Sequence, residues 1–307
     1  MSALLSFRES IPLSLYIHLP WCVRKCPYCD FNSHESGTVE AREMAYVDAL
    51  VSDLDTSLPE IWGRRIHSIF IGGGTPSLFS PAALERLLQA CQARLNPYPD
   101  TEITLEANPG TAEAKKFRDY RALGINRLSL GIQSFSDTCL QKIGRIHDAR
   151  EARAAIEMAH TAGFAEINLD LMYGLPGQSL EDAMGDLETA IDFQPQHLSW
   201  YQLTLEPNTV FAARPPPLPG EDLVFNMQER GQDLLQDHGY QRYEVSAWSR
   251  PDGQCRHNLN YWQFGDYLGI GAGAHSKITD VARGTVSRMT RHRIPERYID
   301  LAGEPGV

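Results

Sequence analysis

Residues 13–31 read LSLYIHLPWCVRKCPYCDF, a short apolar run followed at once by three cysteines, Cys22, Cys26 and Cys29. The run has the length and the apolar character of a buried β-strand. The spacing of the thiols within eight residues is typical of a metal site. The sequence therefore places three candidate metal ligands at the carboxyl end of a predicted strand.

Five further strand-like runs follow, at IHSIFIG (66–72), EITLEAN (102–108), RLSLGIQS (127–134), EINLDLMYG (166–174) and HLSWYQLTL (197–205). Helical spacing fills the segments between them, and two helices have recognisable starts, at Ser80-Pro81 and at Ser179 with Asp182. Two weaker runs, YEVSAW (243–248) and YLGIGAGAHS (267–276), come last. This alternation predicts an α/β fold, a partial or full parallel (β/α) barrel of about six βα units with a short C-terminal extension.

We expect residues 1–240 to form the barrel core and residues 241–307 to form the extension, with HNLNYW (257–262) and GIGAGAH (269–275) in it. The proline-rich segment ARPPPLPG (213–220) predicts a surface loop. The chain stops after one predicted helix, RHRIPERYIDLA (291–302), so we expect the C-terminal region to be short.

Composition narrows the class of protein. The chain has 307 residues, of which 42% are hydrophobic and 22% charged, and this predicts a globular protein with a large core. No apolar stretch approaches the roughly 18 residues of a membrane span, and no signal-like segment opens the chain, so we expect a cytoplasmic protein. A formal charge of -11 argues against nucleic acid as the main partner. The three other cysteines, Cys91, Cys139 and Cys255, are scattered, which is unlike a disulfide framework.

Polar residues follow the predicted strands at the ends where barrels carry their chemistry. The second strand ends in GGGTP (72–76), whose glycines allow backbone N–H groups to approach a ligand. Polar side chains end the next three strands: Thr104, Glu106, Asn108, Gln133, Ser134, Asn168 and Asp170. Each of them alone could be a satisfied buried polar group, but together they predict a polar ligand pocket.

Two metal sites fit the cysteines. Cys22, Cys26, Cys29 and His34 could form a structural zinc site. Alternatively, three thiolates could hold three irons of a [4Fe–4S] cluster and leave the fourth iron open. The position of the thiols on a barrel strand, beside the glycine loop, favours the cluster.

The pattern CxxxCxxC after a first strand, with the aromatic Tyr28 before the third cysteine and GGGTP after the second strand, resembles the radical S-adenosylmethionine (SAM) superfamily. That resemblance implies a barrel in which a [4Fe–4S] cluster binds SAM at its open iron and cleaves it to a 5′-deoxyadenosyl radical. Other segments resemble the branch that contains oxygen-independent coproporphyrinogen III oxidase and a subgroup of haem chaperones: YIHLPWC, IGGGTPS, LEANPGT, LGIQSF, GRIH, DLMYGLPGQ, SWYQLTLEPNT, HNLNYW and GIGAGAH.

The resemblance also implies roles for individual residues. The cluster ligands would be Cys22, Cys26 and Cys29, with Tyr16 and Tyr28 beside them. The implied SAM contacts are Gly74 and Thr75 at the methionine end, Glu106 at its amino group, Gln133, Arg145 and Asp170 at the sugar and carboxylate, and Thr204 and His275 at the adenine.

Departures from the oxidase favour the chaperone. The oxidase resemblance requires a further cysteine two positions after the third, and Phe31 stands there. HNLNYW resembles the signature of the haem-chaperone subgroup, which makes His257 a candidate haem ligand, although a loop histidine bonded to backbone and a Cys255 thiolate ligand remain open. We therefore expect a haem chaperone that binds a [4Fe–4S] cluster, SAM and haem, and transfers haem to acceptor proteins such as respiratory enzymes. The alternative is the coproporphyrinogen III oxidase, whose activity we do not expect, and a tRNA- or peptide-modifying enzyme is a more distant third.

Overall fold

Parallel strands dominate the fold in the computed structural model, which describes residues 11–36, 39–110 and 116–304. The strands are β1 (Leu13–Leu19), β2 (Trp21–Cys22), β3 (His34–Glu35), β4 (Arg65–Gly73), β5 (Asn96–Ala107), β6 (Arg127–Gln133), β7 (Glu166–Tyr173), β8 (His197–Gln202), β9 (Gln241–Arg242), β10 (Ala247–Ser249), β11 (Asp266–Ile270), β12 (His275–Asp280) and β13 (Thr285–Thr290). The helices are α1 (Glu43–Ile61), α2 (Pro81–Arg94), α3 (Phe117–Ala122), α4 (Asp137–Lys142), α5 (Ala149–Thr161), α6 (Leu180–Asp192), α7 (Val210–Ala213), α8 (Glu221–Asp237), α9 (Arg256–Trp262) and α10 (Pro295–Leu301), and a 3₁₀ turn covers Pro76–Leu78.

One sheet holds most of the strands. Eleven strands of the described residues lie in the order β13-β12-β11-β1-β4-β5-β6-β7-β8-β10-β9. The pairs from β11 to β8 are parallel, and the outer pairs are antiparallel. Six consecutive parallel strands, β1 and β4 to β8, are each followed by helix, so the predicted α/β fold of about six βα units is confirmed.

The sheet has one apolar face and one polar, concave face. Along β1, Leu13, Leu15 and Ile17 are buried in the hydrophobic core, while the intervening residues point to the opposite face. Burying one such side chain contributes about 1.5–3 kcal/mol. Side chains from all five strands β4 to β8 line one common cavity on the polar face, so the sheet curves around that face.

The two helix starts that the sequence predicts are present in the structure. Ser80 caps α2 by accepting a hydrogen bond from the Ala83 N–H, and Ser179 and Asp182 form a capping box at the start of α6. Residues 214–220 form the predicted irregular loop. None of the described helices combines the length and the apolar character that crossing a membrane requires.

Three strand predictions need correction. In the run YEVSAW (243–248), only Ala247 and Trp248 are in a strand, β10. β5 begins at Asn96 rather than at residue 102, because the proline-containing segment before it pairs with the start of β4. The run at 267–276 is not one strand: β11 ends at Ile270, and Gly271 and Gly273 then turn the chain with φ values of 105° and 77°. The division at residue 240 stays a prediction, although β9 and β11 to β13, which follow it, complete both edges of the same sheet.

Candidate functional site

The three clustered cysteines surround a single cavity: Cys22 ends β2, and Cys26 and Cys29 lie on the cysteine loop that follows it. Each sulfur has a different neighbour: Thr75 Oγ1 lies 3.5 Å from Cys22 Sγ, Arg145 Nη1 lies 3.6 Å from Cys26 Sγ, and Ser33 Oγ lies 3.7 Å from Cys29 Sγ. Burial raises the pKa of Cys22 to about 11 and also raises that of Cys29. These thiols therefore keep their protons until a metal displaces them.

The zinc alternative is not supported by this geometry. Among the described residues, no three His, Cys, Asp or Glu side chains converge closely enough to hold one metal ion. His34 Nε2 instead lies 3.2 Å from Asn32 Oδ1. Thiolates of an iron–sulfur cluster bind different irons and need not converge on one ion, so the cysteine arrangement fits a cluster.

The glycine loop after β4 lies directly beside the cysteine loop. The Gly74 N–H donates to Leu19 O at 2.8 Å, and the Thr75 N–H donates to Trp21 O at 2.8 Å. A Cβ at residue 74 would lie 2.6 Å from Trp21 O, which is backbone and cannot move aside easily. Glycine is therefore required where the two loops meet.

A network of polar side chains joins the other strand ends to the cysteines. The Asn108 amide donates to Thr75 Oγ1 at 2.8 Å, and Arg145 Nη2 donates to Asn108 Oδ1 at 2.7 Å and to Gly131 O at 2.6 Å. The Nε atom of Arg145 is buried and has no hydrogen-bond partner among the described residues. The guanidinium is thus held beside Cys26 with one donor left over for a ligand.

Two carboxyl groups lie on the floor of the same cavity. Glu106 Oε2 accepts from the Gly73 N–H at 3.1 Å, while Asp170 accepts from Asn168 at 2.7 Å and from Ser129 at 3.2 Å. Burial, with the charge of Asp170 nearby, raises the pKa of Glu106 to about 7, and burial raises that of Asp170 as well. Two such groups favour a ligand that carries positive charge.

Gln133 ends β6 in a left-handed conformation, with φ of 70°, and Tyr201 donates to its Oε1 at 2.7 Å. Both residues line the cysteine cavity. Strain of this kind in a residue other than glycine is typical of functional sites. Tyr28 lines the cavity too and packs against Phe211, with ring centroids 6.5 Å apart.

A second cavity adjoins the first, and the two share Phe31, Gly73 and Glu106. Tyr16, an implied neighbour of the cluster, and His275, an implied SAM contact, line this second cavity and not the first. Thr204 lines neither and is exposed, with its hydroxyl donating to Glu206 at 2.8 Å. The structure thus gathers seven of the implied SAM and cluster neighbours around the cysteine cavity: Tyr28, Gly74, Thr75, Glu106, Gln133, Arg145 and Asp170.

His257 lies on α9, on the concave face of the sheet, and is only 3% exposed. Its Nδ1 lies 3.2 Å from Ser68 Oγ, and its ring packs against Phe70 with centroids 5.0 Å apart. Burial lowers its pKa to about 3, so the imidazole is neutral, and its Nε2 has no hydrogen-bond partner among the described residues. Cys255 is buried beside Glu102 and has its pKa raised by burial to about 12, which disfavours a thiolate. His257 as a haem ligand stays a prediction.

Sequence reasoning missed two contributors. Tyr201 binds Gln133, and His18 links Tyr16 to the cysteine loop. The alternation of side chains along β8 could have identified Tyr201. It lies two residues after Ser199 and four residues after His197, and both of these face the same polar side. Thr111, the last residue of LEANPGT, lies outside the described residues.

Comparison with known proteins agrees with this geometry. The profile described as "Radical SAM superfamily" matches residues 16–190. The heme chaperone HemW of Escherichia coli is 54% identical over 289 residues, which cover 94% of this chain and 76% of that protein. The heme chaperone HemW of Haemophilus influenzae is 52% identical over 292 residues, with the same two coverages, 94% and 76%. Among solved structures, the coproporphyrinogen III oxidase HemN of Escherichia coli matches with a TM-score of 0.82 at 27% identity, over 96% of this chain and 70% of that chain.

Proposed function

This chain belongs to the radical SAM superfamily and, within it, to the family of its HemW relatives, and from that premise we propose that it is a haem chaperone. It binds haem and passes it to acceptor proteins. Its relatives at 54% and 52% identity carry the name heme chaperone, whereas the oxidase match has 27% identity. The acceptors that we propose are haem proteins such as respiratory enzymes.

Our proposal of a chaperone rather than an oxidase depends on the identity of residue 31. Phe31 is 64% exposed and lines both cavities, at the position where the oxidase resemblance requires a thiol. The thiols outside the cluster loop, at Cys91, Cys139 and Cys255, are buried and line neither of these cavities. The chain therefore offers no substitute for the missing cysteine among the described residues.

We propose that Cys22, Cys26 and Cys29 hold a [4Fe–4S] cluster and that the cavity beside them binds SAM. The glycine loop supplies close backbone approach, and the partly buried Glu106, which among the described residues accepts one hydrogen bond, from Gly73, fits the ammonium group of a methionine. When the cluster and SAM are both bound, they supply a one-electron cleavage of the SAM sulfonium. Arg145 holds one thiolate and offers its spare Nε donor to the ligand.

We also place the protein in the cytoplasm. All six cysteines are free, and an iron–sulfur cluster needs thiols that stay reduced. This location agrees with the expectation from the sequence and supports transfer of haem on the cytoplasmic side.

Anaerobic assays of the purified chain test the proposal. Haem added stepwise should give one saturating change in the Soret band, and the loaded protein should lose haem to an excess of an apo-haem protein. With reductant, SAM and coproporphyrinogen III, mass spectrometry should detect no decarboxylated porphyrinogen. Formation of that product would make this chain an oxidase, and failure to bind haem would remove the chaperone role.

A further inference from the structure

The second cavity is large enough to bind a small molecule. Its volume is about 500 Å³, within the range of roughly 300–1,000 Å³ that is usual for small-molecule sites. One wall is the loop that follows Cys29, and Asn32 fastens this loop to the opposite wall by donating to Ala272 O at 2.9 Å and to Arg293 O at 2.8 Å. The cavity is therefore built by the cluster loop and by residues after 260 together.

Two histidines line this cavity, and only one of them has a nitrogen to spare. His18 Nε2 lies 2.9 Å from Asn32 O, so it must donate there, and His18 Nδ1 then accepts from the Tyr16 hydroxyl at 3.0 Å. His275 is exposed, and its Nδ1 lies 3.3 Å from Thr290 Oγ1. When Nδ1 donates its proton to Thr290, Nε2 carries the lone pair, which is the form of imidazole that binds iron.

The remaining walls combine aromatic surface with one cation, and they also carry two carboxyl groups, Asp30 and Glu106. Tyr16, Phe31 and Tyr261 contribute aromatic surface. Arg293 is an exposed cation on the same cavity, and within the described part of the chain it forms no ion pair. Guanidinium groups bind carboxylates in paired hydrogen bonds, so Arg293 fits a porphyrin propionate.

We propose that haem binds in this second cavity with His275 Nε2 as an axial ligand of the iron and with Arg293 at a propionate. This inference rests on the proposed haem-chaperone function and specifies its site. Binding requires only that the neutral imidazole donates its lone pair to the iron, so no proton is released and no redox partner is needed.

The burial of His257 supports this choice. The imidazole of His257 packs against Tyr16 and Phe70, with ring centroids 6.2 Å and 5.0 Å away, and it lines neither cavity. His275 can bind a ligand from outside without rearrangement of α9. Tyr261, from the same HNLNYW segment, lines the cavity, so this segment still contributes an aromatic contact to the haem.

Haem titrations of wild type and variants test the site. His275→Ala should weaken haem binding by about tenfold or more and move the Soret band, and added imidazole should restore the wild-type spectrum. His275→Gln keeps a polar contact to Thr290 and should show the same loss, which separates ligation from folding. His238→Ala is the matched control, because His238 is exposed on another surface with Nδ1 bonded to Leu234 O at 2.8 Å.

Arg293→Gln should weaken binding of haem but not of haem dimethyl ester, which has no free carboxylates. Unchanged affinity and spectrum in both His275 variants would overturn the ligand assignment while the chaperone role stands. Loss of the Soret change in His257→Ala, with His275→Ala unaffected and both variants folded by circular dichroism, would move the site to the concave face. Absence of haem binding by the wild type would remove both the site and the proposed function.

Discussion

Replacing Glu106 by Gln should make the cluster-free protein more stable at pH 8 and at the same time weaken SAM binding. The substitution keeps an oxygen that can accept from the Gly73 N–H, and it removes a charge that burial disfavours. Sites that hold a charge for a ligand are commonly destabilising without that ligand. The two effects of one mutation should therefore have opposite signs.

The magnitude follows from the pKa. The carboxyl of Glu106 moves from 4.5 to about 7 on folding, so between these values the folded protein holds a proton that the unfolded chain has lost. Stability contributed by this group therefore falls as pH rises from 4.5 to about 7 and is constant above that range. At about 1.4 kcal/mol per pKa unit the upper limit is about 3.5 kcal/mol. Glu106 is only partly buried, and solvent screening reduces the expectation to about 1–2 kcal/mol.

Urea unfolding of the two proteins at pH 8 and pH 5 measures this effect. Glu106→Gln should raise the free energy of unfolding at pH 8 by about 1–2 kcal/mol and by much less at pH 5, and calorimetry should show at least about tenfold weaker SAM binding to the reconstituted protein. Glu296→Gln is the control, since this exposed carboxylate pairs with the exposed Arg42 and with no other cation of the described residues, and its loss should change stability little. A variant that is less stable than wild type at pH 8, or that binds SAM equally well, would refute the reasoning.

Three more outcomes follow from the described contacts. Replacing all three cluster cysteines by alanine should abolish iron binding after anaerobic reconstitution, whereas Cys91→Ala should leave iron and Mössbauer spectra unchanged; zinc in place of iron in the wild type would contradict the cluster. Gly74→Ala should lower the free energy of unfolding by about 1–3 kcal/mol through its contact with backbone. Gly185→Ala, on α6 with no atom near its Cβ position, should raise it by about 1 kcal/mol, and equal effects of the two in thermal unfolding would argue against the close approach of the loops.

Much of the fold was predictable because each parallel strand buries one face and shows a short apolar run. The first run, 13–19, matches β1 residue for residue. The early start of β5 was not predictable, because Pro97 and Pro99 favour a loop and only tertiary contacts reverse that preference. There, β4 pairs with the segment through an irregular register, and the Arg65 guanidinium lies 3.9 Å from the centre of the Tyr98 ring. Long-range pairing therefore outweighed the local proline signal.

The candidate site was predictable where the residue types and their spacing indicate its chemistry. Three cysteines, three glycines and carboxylates at alternate positions are enough to indicate a polar pocket from the sequence alone. The hydrogen-bond partners of the individual side chains were not predictable, because they depend on which loops meet in space. Asn32 joins residues 272 and 293, and nothing in its local sequence signals a contact so far along the chain. For the same reason, the sequence made His257 the candidate haem ligand and His275 an implied SAM contact, without the information that His257 is buried and His275 exposed.

The two cavities share part of their walls, because Phe31, Gly73 and Glu106 belong to both. A ligand that contacts Glu106 from the cysteine side changes the charge presented to the second cavity, and a haem that packs on Phe31 restricts a residue beside the cluster loop. Any change that binding at one cavity makes to the affinity of the other is a free energy that is equal in both directions. The sign follows from charge: a cationic group at Glu106 neutralises a carboxylate that would otherwise repel a dianionic porphyrin. The shared wall thus favours a chaperone that takes up haem more tightly when its SAM site is filled.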